Sequence, residues 1–171
     1  MERIDSENQP RAGDAGANMH HRELVVIHGA NLNLLGERPA KYYGSITLAE
    51  LEDLIRSTAQ ELGWTALCLQ TNYEGAFIEF VHKYRQAAAM LVNPGAWTHY
   101  SYAIRDALEL VLGPVAEVHL SDISSREEWR RRSVISDVVA FTVAGKGPAG
   151  YVEAIRRLVT MVDGGEGQGA L

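Results

Sequence analysis

Residues 23–44 read ELVVIHGANLNLLGERPAKYYG, and the fold follows from how that stretch changes character at His28. Glu23 to His28 is a short apolar run rich in β-branched residues and closed by Gly29, the pattern of a buried strand. From His28 to Gly44 the chain turns polar and holds Asn31, Asn33, Arg38, Tyr42 and Tyr43, side chains that a core does not need. Strand-to-helix connections are usually a few residues long, and a longer one in a compact domain tends to be a lid or a binding loop. The loop is therefore the first candidate for function.

Downstream, Thr47 and Glu50 stand at capping-box spacing, and Leu48, Leu51, Leu54, Ile55, Ala59 and Leu62 recur on one helical face until Gly63. The alternation repeats: strand Trp64 to Gln70, helix Glu74 to Ala88, strand Ala89 to Asn93, helix Tyr100 to Leu112, strand Val115 to Leu120. A helical turn at Glu127 to Arg132, a strand Val139 to Ala144 and a helix opened by Pro148 complete it. Five strands, each apolar nearly throughout and alternating with helices, predict a parallel sheet covered on both faces. The expected architecture is an α/β, flavodoxin-like three-layer sandwich whose five-stranded sheet has the order 2-1-3-4-5. Residues 1–22 lack periodicity and are expected to form a disordered tail, 23–162 a single catalytic domain, and the Gly-rich 163–171 a flexible end.

The totals narrow the class of protein. A chain of 171 residues with 16 basic against 22 acidic residues has a formal charge of -6, which argues against a nucleic-acid partner. A single cysteine, Cys68, forms no intramolecular disulfide, and no charged-then-apolar leader opens the chain. No apolar run reaches the ~18 residues of a membrane span. These features predict a reduced, cytoplasmic protein without a membrane partner.

In doubly wound sheets, ligands bind outside the carboxyl ends of the strands. Those ends carry His28 to Tyr43, then Asn72 and Glu74, then Asn93-Pro-Gly-Ala-Trp-Thr-His99, then His119-Leu-Ser121 with Arg126 and Arg130 beyond, and finally Gly145-Lys-Gly147. Singly, an Asn or Gly makes a turn, a Ser caps a helix and a His at a strand end is merely hydrogen-bonded. Five such loops on one edge point to a small-molecule site. There is no acidic cluster and no Cys/His ligand spacing, so no metal is expected. There is no G-x-G-x-x-G and no Walker loop, so neither a dinucleotide nor a triphosphate is indicated. Arg, Asn, Ser and His around a small cavity suit a hydroxylated carboxylic acid. Tyr43, His99 and His119 are the acid–base candidates. A tyrosine acting as a base near neutrality needs its pKa lowered by roughly three units, about 4 kcal/mol, which Arg38 and Arg126 are placed to supply.

The segments GANLNLLGERP, YYGS, QTNYEG, NPGAWTHYS, AIRDAL, EVHLSD, REEWRRRS and GKGPAGY, in this order, resemble the type II 3-dehydroquinate dehydratases. The resemblance implies a cofactor-free lyase that converts 3-dehydroquinate to 3-dehydroshikimate through an enolate, in the shikimate pathway or in quinate breakdown. It makes Tyr43 the base, Arg38 the group that lowers its pKa and closes over the substrate, and His119 the general acid oriented by Glu117. Asn31 holds the water that stabilises the enolate oxygen. Leu120 and Ser121 grip the substrate carboxylate, and Asn93, His99 and Arg130 take the ring hydroxyls. Gly95, Ala96 and Arg126 support the site. Asp106 is similar to a family position that reaches a neighbouring subunit, which fits a homododecamer built from trimers. The chain departs from the family at Ala30, where proline is usual, and at Tyr73, where histidine is usual; neither change removes an acid or a base.

Other occupants of the fold fit less well. A phosphate-switched receiver needs acidic residues after the first strand and an aspartate ending the third, where this chain has His28-Gly29 and Asn93-Pro94. A flavin carrier needs a Ser/Thr-rich loop after the first strand. The closer alternative is a non-catalytic or altered-specificity relative that binds a similar hydroxylated carboxylate.

Overall fold

The computed structural model describes residues 22–37 and 45–166. The terminal segments 1–21 and 167–171 and the loop residues 38–44, among them Arg38 and Tyr43, lie outside the described residues. Strands β1 (Glu23–His28), β2 (Thr65–Gln70), β3 (Ala89–Asn93), β4 (Val115–His119) and β5 (Phe141–Ala144) form one sheet in the order β2-β1-β3-β4-β5. Every pairing is parallel. The helices are α1 (Leu48–Glu61), α2 (Glu74–Lys83), α3 (Tyr102–Leu108) and α4 (Pro148–Glu166).

Side chains alternate across a strand, so β1 sends Leu24 and Val26 to one face and Val25 and Ile27 to the other. The first face is covered by α1 and α4 through Leu51, Ile55, Ile155 and Leu158. The second is covered by α2 and α3 through Phe77, Val81, Ile104 and Leu108. α1 starts at the capping box that the spacing predicts: the Glu50 N–H donates to the Thr47 hydroxyl at 3.3 Å, and the Glu50 carboxylate accepts from the Thr47 N–H at 2.8 Å.

The boundaries differ where tertiary contacts override periodicity. α2 stops at Lys83 rather than Ala88, and α3 spans Tyr102–Leu108 rather than Tyr100 to Leu112. The segments that follow them meet backbone to backbone. The Leu112 N–H donates to the Arg85 carbonyl at 2.9 Å, and a Cβ on Gly113 would lie 2.5 Å from the Ala88 carbonyl oxygen. Continuing either helix would break that contact. β4 ends at His119 and β5 begins at Phe141; the helical turn predicted at Glu127 to Arg132 is present as the 3-10 turn Glu128–Arg130, and a further 3-10 turn, Ile123–Ser125, precedes it. α4 continues to Glu166, past the Val162 boundary drawn from the sequence. No helix among the described residues is long and apolar enough to cross a membrane.

The register aligns the strand ends that matter. His28 lies beside both Gln70 and Asn93, and His119 lies beside Ala144. The loops that leave them therefore share one edge.

Candidate active site

Two glycines let those loops approach. A Cβ on Gly29 would lie 2.4 Å from the Pro94 carbonyl oxygen, so the loop after β1 can rest on the loop after β3 only without a side chain. Gly145 has φ 78°, and its N–H donates to the carbonyls of His119 at 3.2 Å and Ser121 at 3.1 Å. A Cβ there would meet Asp122 Cβ at 2.9 Å. The Gly147 N–H in turn donates to the Leu120 carbonyl at 3.0 Å, which pins the peptides after β4.

A cleft opens between these loops. Asn31 and Leu32 line it from the loop after β1, and Asn93, Gly95, Ala96 and His99 from the loop after β3. His119, Leu120, Ser121, Arg126 and Arg130 close the third side. Glu117 lies beneath the cleft, fully buried, and reaches it through His119. Asp106 is not brought in: it is exposed on α3, with its carboxylate 3.6 Å from the Arg105 guanidinium. Tyr73 is also outside, exposed at the start of α2.

Glu117 and His119 project to the same side of β4 because they are two residues apart. The His119 Nε2–H donates to Glu117 Oε1 at 2.7 Å. The same oxygen accepts from the Thr98 hydroxyl. Oε2 accepts from the Ser133 hydroxyl at 2.9 Å and the Thr142 hydroxyl at 3.2 Å. Each oxygen therefore accepts two bonds, as a buried ionised carboxylate must. Burial pushes the Glu117 pKa up, but the hydrogen bond and charge of His119 and the bonds from Thr98 and Ser133 outweigh it and hold the carboxyl below its usual range. With Nε2 committed to a charged acceptor, Nδ1 is the nitrogen of His119 left to face the cleft. That is how a histidine is prepared to give up a proton to a bound group.

His99 is prepared for the opposite task. Its Nδ1–H donates to the Arg132 carbonyl at 2.7 Å, so a neutral ring offers Nε2 as an acceptor. Burial lowers its pKa, against the raising effect of the Arg132 bond, and so favours that neutral form. Trp129 holds the ring edge-on at 5.4 Å, and the Arg130 guanidinium stacks 4.1 Å above the same tryptophan. Asn31 is the one non-glycine residue with positive φ, 65°, among the described residues. Its N–H donates to Asn72 Oδ1 at 2.8 Å, while the Asn72 amide donates to Asn33 Oδ1 at 3.0 Å. Gln70 Nε2 also donates to Asn72 Oδ1, at 3.1 Å.

Asn72 and Thr98 stand in the strand-end loops that the sequence points to, without a role assigned, whereas Ser133, Thr142, Gln70, Trp129 and Tyr151 are not candidates from the sequence. Most of them sit inside the segments NPGAWTHYS, QTNYEG, REEWRRRS and GKGPAGY, so the motif positions held the signal, but nothing local tied each to its partner.

The fold and cleft define a flavodoxin-like α/β protein with a polar cavity lined by histidines and arginines at the carboxyl edge of its sheet. The family model for dehydroquinase class II matches residues 22–159, and the chain belongs to that family. It is 46% identical over 135 residues to the 3-dehydroquinate dehydratase of Pelotomaculum thermopropionicum, covering 78% of this chain and 94% of that one. It is 42% identical over 142 residues to the 3-dehydroquinate dehydratase of Leptothrix cholodnii, covering 82% and 95%. Among solved structures, the type II dehydroquinase from Butyrivibrio crossotus superposes with a TM-score of 0.79 at 39% identity, over 81% of this chain and 97% of that one.

Proposed function

We propose that this chain dehydrates 3-dehydroquinate to 3-dehydroshikimate through an enolate, with residues 23–162 as its catalytic domain. Tyr43, its pKa lowered by Arg38 and Arg126, removes the proton beside the C3 ketone. The enolate oxygen is stabilised by a water held on Asn31. His119 then gives its proton to the departing C1 hydroxyl, which leaves as water, and the tyrosine's proton returns to the histidine to reset the pair. The carboxylate is gripped by Leu120 and Ser121, and Asn93, His99 and Arg130 take the ring hydroxyls, with Gly95 and Ala96 shaping the wall. No cofactor enters these steps.

The observation that carries this reading is the buried Glu117–His119 pair, bonded at 2.7 Å directly beneath the cleft. An ionised carboxylate fixes the imidazole through Nε2 and leaves Nδ1 toward the cleft, the geometry that an acid for a hydroxide leaving group requires. Neutral His99 beside it suits a hydroxyl donor. Asp106, exposed and outside its own cleft, is assigned to a neighbouring subunit's site in a dodecamer built from trimers, a size that light scattering measures directly.

The activity is tested by the ultraviolet absorbance of the conjugated product. Turnover is the expected result; a folded, oligomeric chain with none would leave only a ligand-binding relative. Tyr43→Phe should abolish turnover while ligand binding persists, and a near-normal rate in that variant would remove Tyr43 from the role of base.

A further inference from the structure

A second buried polar cluster lies on the other side of the sheet from Glu117. His28 and Asn93 end neighbouring strands in register, and both point toward α4, where Tyr151 is fully buried. Asn93 Nδ2 donates to the Tyr151 hydroxyl at 2.8 Å, and that hydroxyl is 3.4 Å from His28 Nδ1. The Gly95 N–H donates to Asn93 Oδ1 at 3.2 Å.

These contacts fix the sense of the Asn93 amide. The Gly95 N–H needs an acceptor, so Oδ1 faces Gly95 and the amide nitrogen faces Tyr151. Tyr151 therefore accepts from Asn93, which leaves its own hydrogen available to His28 Nδ1, 3.4 Å away. That bond requires His28 to be neutral with its proton on Nε2, an atom that is buried and has no partner among the described residues. In that tautomer the chain runs from the Asn93 amide through the Tyr151 hydroxyl to the imidazole.

Asn93 is itself almost wholly buried, yet it lines the cleft. An amide has two ends of similar shape and opposite hydrogen-bonding sense, and a flip would exchange a donor for an acceptor at the cavity wall. We propose that Tyr151 is a positioning residue for Asn93: its hydroxyl, relayed onto His28, holds the amide in the single orientation that presents a fixed donor and acceptor to the bound ligand. The kinetic part of the test rests on the proposed reaction; the structural part does not.

Tyr151→Phe keeps the shape of the core and removes only the hydroxyl. The expected result is a KM about tenfold higher with kcat within about twofold, since tenfold equals about 1.4 kcal/mol, the worth of one uncharged hydrogen bond. In an Asn93→Ala background the same substitution should move KM no further, although thermal denaturation still registers the altered core. His28→Leu should behave like Tyr151→Phe. His28→Asn should restore KM, because an asparagine Oδ1 occupies the place of the histidine Nδ1 and accepts the same bond. An unchanged KM in Tyr151→Phe, or an equal loss with and without Asn93, overturns the proposal.

A readout independent of turnover separates this from failure of the reaction assignment. The Asn93 side-chain amide protons, identified in NMR spectra by their loss in Asn93→Asp, should exchange slowly with solvent in the unaltered protein and faster in Tyr151→Phe. Equal exchange overturns the proposal whatever the enzyme turns over.

Discussion

The two buried polar clusters under the cleft are built on opposite principles. On the α2/α3 side, Glu117 carries a charge into the interior and surrounds it with His119 and three hydroxyls. On the α1/α4 side, His28, Tyr151 and Asn93 are all neutral: burial, with a smaller effect from Arg56, lowers the His28 pKa to about 4, and burial raises that of Tyr151 despite the Asn93 bond. In the proposed reaction the charged cluster serves a proton donor, and in the proposed positioning role the neutral one fixes the sense of an amide. Low dielectric serves both, since it strengthens satisfied bonds and penalises any partner left alone.

The largest effect expected is on the charged side. Glu117→Gln keeps the shape and the acceptor for His119 but removes the charge, and kcat should fall by about 10²–10³-fold with little change in KM. Steady-state kinetics would show it, and a loss under about tenfold would mean that geometry, not charge, prepares His119.

Acid titration separates the clusters by pH. Unfolded His28 takes up a proton below about 6.5, whereas the folded protein resists until about 4. The unfolded state therefore holds the extra proton in that window, so stability is full above it and falls with pH, by about 3 kcal/mol at the lower end. Glu117, held below the usual carboxylate range, begins to add its own loss only as pH falls to about its ordinary value of 4.5, at the bottom of that window. Denaturant midpoints measured from pH 7 to 4 should slope in the unaltered protein and flatten in His28→Asn, which has no proton to gain. An equal slope in both would assign this acid limb elsewhere.

Smaller effects belong to the frame around the clusters. Gly145→Ala places a Cβ at positive φ against Asp122 and should destabilise by about 1–3 kcal/mol, read as a lowered Tm. Asn72→Ala removes a partner of Asn31 and Asn33 on the exposed rim and should cost about 0.5–1 kcal/mol with only a modest rise in KM. A large loss there would show that the rim is as tightly coupled as the floor.

Much of the fold is legible in local pattern. The apolar runs mark each strand, and Thr47 with Glu50 marks the start of α1, because a capping box is satisfied within one turn. The helix ends at Lys83 and Leu108 are not legible, since the contact that ends them joins Arg85 to Leu112. The candidate site divides in the same way. Asn31, Asn93, His99, His119, Ser121 and Arg130 stand at strand ends or in the loops beyond them and meet in the cleft. Thr98, Ser133 and Thr142 look like ordinary loop and strand residues until Glu117 is placed among them.

From sequence alone come the parallel sheet, its order and the edge at which the cleft opens, because strand period, capping and the position of polar residues after each strand are properties of neighbouring residues. The tertiary structure alone decides which hydroxyls neutralise Glu117 and which way the Asn93 amide faces. Tyr151 lies 58 residues from Asn93 and 123 from His28 along the chain. Hydrogen bonds at that separation exist only once the sheet has paired and α4 has packed across it, so no local pattern can encode their direction.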